Sequence, residues 1–208
     1  MKTLLQINAS MFAHAGQSTR LADQFVATWR ASNADAQVMV RDLGRDPVPH
    51  LTAERFGAFL AKPEAHTAEQ AAVLAYSDTL IAEIKRADIV VIGLPMYNFG
   101  VPSTLKAHFD HIARAGVTFR YTPTGPEGLL SEKEAYIFAT RGGLYEGTPL
   151  DTQTSYVRDF LRFLGIEQVN FVYAEGLNMD VVRKDAALAE AHRSIDRLAP
   201  APAARLAA

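Results

Sequence analysis

Short apolar runs rich in β-branched residues alternate along this chain with longer stretches whose apolar positions recur every three or four residues. That alternation predicts βαβ units and a parallel sheet. A first strand is predicted over residues 3–7. Leu21, Phe25, Val26 and Trp29 then give a helix over residues 18–30. A brief second strand, 37–41, ends in the Asp42-Leu43 turn, and residues 46–50 form a proline-stiffened loop. Two helical stretches follow over 53–61 and 67–86, the second with Ala72, Leu74, Leu80, Ile81 and Ile84 on a broad apolar face. Ile89-Val90-Val91-Ile92 is continuously apolar, as suits a central parallel strand covered on both faces.

Pro102 falls where a first helical turn tolerates proline, and residues 105–113 continue that helix. Residues 117–130 contain a Pro-Thr-Gly-Pro turn and predict a hairpin or structured loop. Fourth and fifth strands are predicted over 135–139 and 169–173, with a helix over 152–164 between them. A closing amphipathic helix spans 184–198, and the Ala-Pro-rich end from Ala199 onward is expected to fray.

Neither a repeat nor a linker divides the chain, so residues 1–198 are read as one α/β domain. Right-handed crossovers between strands of this kind predict a doubly wound, five-stranded parallel sheet of flavodoxin-like order 2-1-3-4-5, with the hairpin inserted. Such sheets bind ligands beyond the carboxyl ends of their strands, near the point where the strand order reverses. The segments to read for chemistry are therefore those after strands one, three and four.

After the first strand, Ser10 begins a loop that reaches Gly16-Gln17-Ser18-Thr19 at the start of a helix. A helix N-terminus carries unpaired N–H groups and partial positive charge, which makes it a ready phosphate seat. Equally, Ser18 is an ordinary N-cap by residue type, and both readings stand at this point. The loop has no G-x-G-x-x-G and no G-x-x-x-x-G-K-[ST] pattern, so it is neither a dinucleotide fingerprint nor a Walker loop. Hydroxyls and backbone amides suit a phosphate that is bound and kept.

Pro95-Met96-Tyr97-Asn98-Phe99 follows the third strand, an apolar and aromatic loop where polar residues are the norm. A flat aromatic ligand lying on the loop accounts for that composition. Asn98 both donates and accepts, as reading a heterocycle's edge requires. After the fourth strand, Thr140-Arg141-Gly142-Gly143 allows backbone N–H groups to approach a ligand, although by itself it is also a simple turn.

Composition narrows the classes. Lys and Arg total 21 against 23 Asp and Glu, a formal charge of -2, which leaves no basic excess for nucleic acid. Cysteine is absent, excluding disulfides, thiolate metal sites and cysteine nucleophiles. Neither a signal-peptide core of about 7–15 apolar residues nor a span of about 20 is present, so a cytoplasmic protein without a membrane segment is expected. His108 and His111 beside Asp110 share a helix face, but two imidazoles rarely hold a metal, and none is expected. Ser103 and Ser155 lack a G-x-S-x-G elbow. Glu127, Glu132 and Glu134 read as a solvated turn.

Taken together, the Ser10 loop with Gly16-Gln17-Ser18, the Pro95–Phe99 run and Arg141-Gly142-Gly143 resemble the FMN-dependent NADH:quinone oxidoreductases and azoreductases of bacteria. Residues 113–121 and the Gly125-Pro126-Glu127-Gly128 turn are also similar to that family. Gly16 and Thr140 depart from it, each standing where serine is common among its members. The resemblance implies non-covalent FMN, NADH or NADPH as electron donor, quinones and azo compounds as acceptors, and ping-pong turnover. It also implies a homodimer with sites at the subunit interface. The implied cofactor-binding residues are Ser10, Gly16, Gln17, Ser18, Pro95, Met96, Tyr97, Asn98, Phe99, Thr140, Arg141, Gly142 and Gly143. Phe99, Phe119, Tyr121, Tyr145 and Phe163 are candidates for the substrate pocket, and no side chain is expected to act as nucleophile. Two rival classes remain: an FMN electron carrier, which the near-neutral charge disfavours, and a cofactor-free binding domain on the same fold.

Overall fold

The computed structural model describes residues 2–62, 64 and 66–199. Its core is a five-stranded parallel sheet in the order β2-β1-β3-β6-β7, formed by β1 (Thr3–Asn8), β2 (Gln37–Asp42), β3 (Ile89–Pro95), β6 (Glu134–Thr140) and β7 (Gln168–Ala174). The expected order is borne out, with the two hairpin strands β4 (Phe119–Thr122) and β5 (Gly125–Gly128) counted separately. The helices are α1 (Gln17–Ala31), α2 (Ala53–Leu60), α3 (Ala68–Arg86), α4 (Ser103–Ile112), α5 (Thr154–Phe163) and α6 (Val181–Leu198).

Residues along the central strands alternate between two cores, as the two-residue period of a strand dictates. Leu5, Ile7, Val90, Ile92 and Ile137 meet Leu80, Ile84, Leu105, Phe109 and Leu161 of α3, α4 and α5. Leu4, Val91 and Phe138 meet Leu21, Phe25 and Trp29 of α1 and Ile195 of α6 on the other face. The strands at the centre are buried on both sides, which is why β3 is apolar throughout. Ala199, expected to begin a frayed end, instead joins the second core and donates its N–H to Ile195 O. The rest of that expectation, residues 200–208, lies outside the described residues.

Helix starts follow their local chemistry. Thr67 and Gln70 form a reciprocal capping box at α3, and Asp180 accepts the Arg183 N–H at 2.8 Å to cap α6. The start of α1 breaks this pattern. Its N-cap is Gly16, no side chain caps it, and its first turn carries no acidic residue.

The hairpin leaves from the amino end of the sheet. Helix α4 descends from the carboxyl end of β3 to Ile112, whose carbonyl accepts the Thr118 hydroxyl at 2.6 Å. Leu130 N–H donates to Leu164 O at the foot of α5, and Lys133 Nζ donates to Lys85 O and Ala87 O just before β3. Among the described residues no helix is long and apolar enough to cross a membrane.

Candidate functional site

The connections after β1 and β3 run to opposite sides of the sheet, and a cleft of about 210 Å³ opens where they part. Ser10, Phe12, Gly16, Gln17 and Ser18 line it from the first loop, Pro95, Met96 and Tyr97 from the third strand's end, and Thr140, Arg141 and Gly142 from the end of β6. The three segments singled out in the sequence thus converge on one rim.

Several close approaches build the cleft. Gly93 lies against the first turn of α1, where a Cβ would come within 3.1 Å of Ser18 O, so the absent side chain lets the helix start press onto the sheet. Gly16 lies against Ser10 so tightly that a Cβ there would overlap the Ser10 side chain. The departure from serine at position 16 therefore matches the space available. Ser10 Oγ accepts the Phe12 N–H, and Tyr97 OH accepts the Met11 N–H at 3.2 Å, tying the first loop to the third.

Unpaired polar groups concentrate here. Ser18 is the second residue of α1 rather than its N-cap; its hydroxyl is fully buried and has no partner among the described residues, and the Thr19 hydroxyl beside it is likewise unpartnered. A buried polar atom left without a hydrogen bond costs about 1–3 kcal/mol, so such atoms are rare unless a ligand or water meets them. Gly142 and Gly143 donate no backbone hydrogen bond among the described residues, though their carbonyls accept from Asn178 and Gly176. Uncapped helix N–H groups, a buried hydroxyl without a partner and two free loop amides form a donor set without a carboxylate, which fits a phosphate ester bearing a polar heterocycle.

The Met96–Gly100 loop is a tight hairpin turn: Tyr97 and Gly100 exchange N–H···O bonds of 3.0–3.2 Å, and both Asn98 (φ 50) and Phe99 (φ 63) take the left-handed conformation. For phenylalanine that conformation is strained, and strain of this kind collects at functional sites. The buried Gln153 side chain holds the turn by donating to Pro95 O and Gly100 O, both at 2.9 Å, and the Thr152 hydroxyl donates to Phe99 O. Asn98 and Phe99 sit exposed on the rim rather than in the cleft wall, and Phe99 meets Tyr145 edge-on at 5.5 Å between ring centroids.

Some expected roles come out differently. Arg141 lines the cleft, but its buried guanidinium is held by Asp151 and Glu175 at 2.7 and 2.9 Å and lies over the Tyr173 ring, so it braces the rim rather than offering a charge to a ligand. Burial raises the Asp151 carboxyl, but hydrogen bonds from Arg141 and Thr154 outweigh it and leave the group below its ordinary range. Phe119 belongs to the core and packs on Phe163 and Tyr121 beside the amino-end hairpin, so these three rings line no wall of this chain's cleft. Only Phe99 and Tyr145 of the proposed pocket aromatics stand at the rim. His108 and His111 are buried in the helix layer, and among the described residues no group of three or more potential ligands could hold a metal.

Five lining residues are not among those named from the sequence: Phe12 and Ala15 in the first loop, and Leu177, Asn178 and Lys184 beyond β7. The segment after β7 zips onto the Arg141–Gly143 turn, with Leu177 N–H and Asn178 N–H donating to Arg141 O and Gly142 O. Extending the strand-end rule to the fifth strand would have found the last three. A larger hollow of about 970 Å³ lies between the Pro47–Pro49 loop, α2 and α3. It lacks the uncapped helix start and the free loop amides.

The fold and cleft define a class: a flavodoxin-like α/β protein with an anion seat at the switch point of its sheet. A family profile described as flavodoxin-like fold matches residues 1–199. The FMN-dependent NADH:quinone oxidoreductase of Cellvibrio japonicus (strain Ueda107) is 54% identical over 197 residues, covering 95% of this chain and 98% of that one. Its namesake 6 from Burkholderia lata is 52% identical over 195 residues, covering 94% and 98%. An azoreductase from Bacillus anthracis str. Sterne superposes with a TM-score of 0.87 at 27% identity, covering 96% of this chain and 99% of that one. An FMN-dependent NADH-azoreductase from Bacillus anthracis str. Ames Ancestor, solved in complex with FMN, gives a TM-score of 0.84 at 27% identity, covering 96% and 100%. The chain belongs to the family of FMN-dependent NADH:quinone oxidoreductases.

Proposed function

We propose that this chain is an FMN-dependent oxidoreductase that passes hydride from NADH to quinones and reductively cleaves aromatic azo compounds. The observation that carries the reading is the cleft at the β1/β3 switch point, where an uncapped helix start and the unpartnered Ser18 hydroxyl meet the free amides of Gly142 and Gly143. Bound FMN supplies the acceptance of hydride from the nicotinamide and its delivery to the acceptor.

The chain supplies binding, orientation and electrostatics. Ser10, Gln17, Ser18 and the first N–H groups of α1 hold the phosphate. Pro95, Met96, Tyr97, Asn98 and Phe99 form the support for the ring, kept rigid by Gln153. The N–H groups of Gly142 and Gly143, with Thr140 beside them, would hold the polar edge of the ring and stabilise negative charge there. Phe99 and Tyr145 keep the rim apolar for a flat substrate. Donor and acceptor take the same place in turn, which is ping-pong turnover, and an azo bond needs two rounds.

The protein acts as a homodimer in the cytoplasm. Tyr121 projects into solvent at 77% exposure on a hairpin at the amino end, so with Phe119 and Phe163 it serves a pocket only where a second copy offers one. The test is an absorbance spectrum of the purified protein followed by NADH with a benzoquinone. A yellow protein holding one FMN per chain and consuming NADH in proportion to quinone is the expected result. A colourless protein that ignores added FMN overturns the reading, and a flavin-loaded protein inert toward NADH and benzoquinone assigns it to electron carriage instead.

A further inference from the structure

We infer that Lys184 is the cation that makes the cleft select a phosphorylated flavin over its dephosphorylated form, an assignment that rests on reading the cleft as the FMN phosphate seat. Lys184 stands in the first turn of α6 and lines the same cleft as Ser10, Gly16, Gln17 and Ser18. It is half-buried, and among the described residues its ammonium has no carboxylate within 4.0 Å. Its neighbours on α6 are engaged otherwise. Arg183 pairs with Asp180, while Arg193 and Arg197 both pair with Glu190.

The opposite wall explains why a cation belongs there. The first turn of α1 has no acidic residue that would neutralise Lys184; its one cation, Arg20, is exposed and is not among the residues that line the cleft, where the turn offers neutral donors. Gly16 adds no hydroxyl to those of Ser10 and Ser18, and the overlap with Ser10 bars one from being added at position 16 without movement. Arg141, the other cation at the cleft, is consumed by Asp151 and Glu175. Among the described residues that line the cleft, a phosphate monoester dianion between the α1 start and the α6 start thus meets one unpaired positive charge, that of Lys184. Lysine suits the task because its ammonium acts as a point charge on a flexible stem and needs no fixed geometry.

The experiment titrates flavin-free protein with FMN and with riboflavin, following the quenching of flavin fluorescence. Lys184→Met is expected to weaken FMN by about 10- to 100-fold, the worth of a charge-assisted hydrogen bond, and to leave riboflavin within about twofold. Lys184→Arg restores FMN affinity to within a few-fold, since the charge is kept. Added salt weakens FMN binding more steeply in the wild type than in Lys184→Met. If Lys184→Met keeps the full preference for FMN while Ser18→Ala reduces it, the phosphate seat stands and the lysine assignment falls. If neither substitution alters the preference, the reading of the cleft falls with it. The position is on the helix surface, and an unchanged far-UV circular dichroism spectrum separates lost binding from lost fold.

Discussion

The two ends of this sheet are built on opposite principles. At the amino end the backbone of the connections is answered: Thr3 N–H by Asp88, Ile112 O by Thr118, Leu164 O by the Leu130 N–H, and the carbonyls of Lys85 and Ala87 by Lys133. Gly128 and Gly165 bring hairpin and α5 into backbone contact there, closer than any side chain would allow. At the carboxyl end the Ser18 hydroxyl is left without a partner among the described residues, helix α1 has no side-chain cap, and Phe99 holds a strained left-handed conformation. One rim satisfies itself and stabilises the domain; the other is completed by a ligand. Unpaired donors and strain are tolerated where binding offsets them.

The largest effect that would sharpen this contrast lies at the closed rim. Gly128→Ala drives a Cβ into the backbone of Leu164 and Gly165, which has no side-chain freedom with which to yield. A loss of about 3 kcal/mol or more in urea unfolding is expected, as for other overpacked sites. FMN affinity of the fraction that remains folded should stay near the wild-type value; a selective loss of flavin without loss of stability would break the contrast.

His108 tests the layer between the rims. Burial, with the positive charges of Arg41 and His111 adding to it, lowers its pKa from 6.5 to about 3. Between those values the unfolded chain carries a proton that the folded chain refuses, so stability is intact above pH 6.5 and falls with decreasing pH. The slope is about 1.4 kcal/mol per pH unit once the unfolded imidazole is protonated. Unfolding free energies from urea titrations at pH 7 and pH 5 should therefore differ by about 2 kcal/mol more in the wild type than in His108→Leu. Equal pH responses in the two proteins would show that His108 takes up its proton in the fold.

At the open rim, Asn98→Ala is expected to raise the FMN dissociation constant about tenfold and slow flavin reduction in stopped flow, since the turn loses a polar edge and a residue that tolerates positive φ. His111→Ala, in the helix layer, should cost stability instead and change FMN affinity by no more than about twofold. Comparable flavin losses in both would contradict the division between rims. The smallest effect is the most pointed. Ser18→Ala should leave the flavin-free protein about 1 kcal/mol more stable, because a buried hydroxyl without a partner is removed, while weakening FMN. Lower stability of the flavin-free variant would mean that the hydroxyl is already satisfied.

Most of the architecture is legible in the sequence, because strand and helix periods and the rule of right-handed crossovers act locally or through chirality. The run Ile89–Ile92 could be little else than a central strand, and proline at 102 marks the residue that precedes α4. The three loops were legible for the same reason, since a doubly wound sheet presents strand ends at one edge. Less could be read wherever a side chain's partner lies far away in the chain. Arg141 is implied to bind the cofactor by its place in the loop after the fourth strand, but its guanidinium is claimed by Asp151 and Glu175, and the latter lies 34 residues on. Phe119, Tyr121 and Phe163 looked like pocket walls because aromatic character says nothing about which end of a sheet a hairpin leaves from.

What the amino-acid order determined by itself was thus the main elements, their order in the sheet and the chemistry carried at the ends of β1, β3 and β6, all consequences of periodicity, propensity and handedness. Tertiary structure alone decided which of those groups remain without partners: that Ser18 and Lys184 face one cleft while Arg141 is neutralised, and that the hairpin rings sit at the far rim. The physical reason is that a hydrogen bond or ion pair is settled by distance in space, and only the folded chain sets that distance.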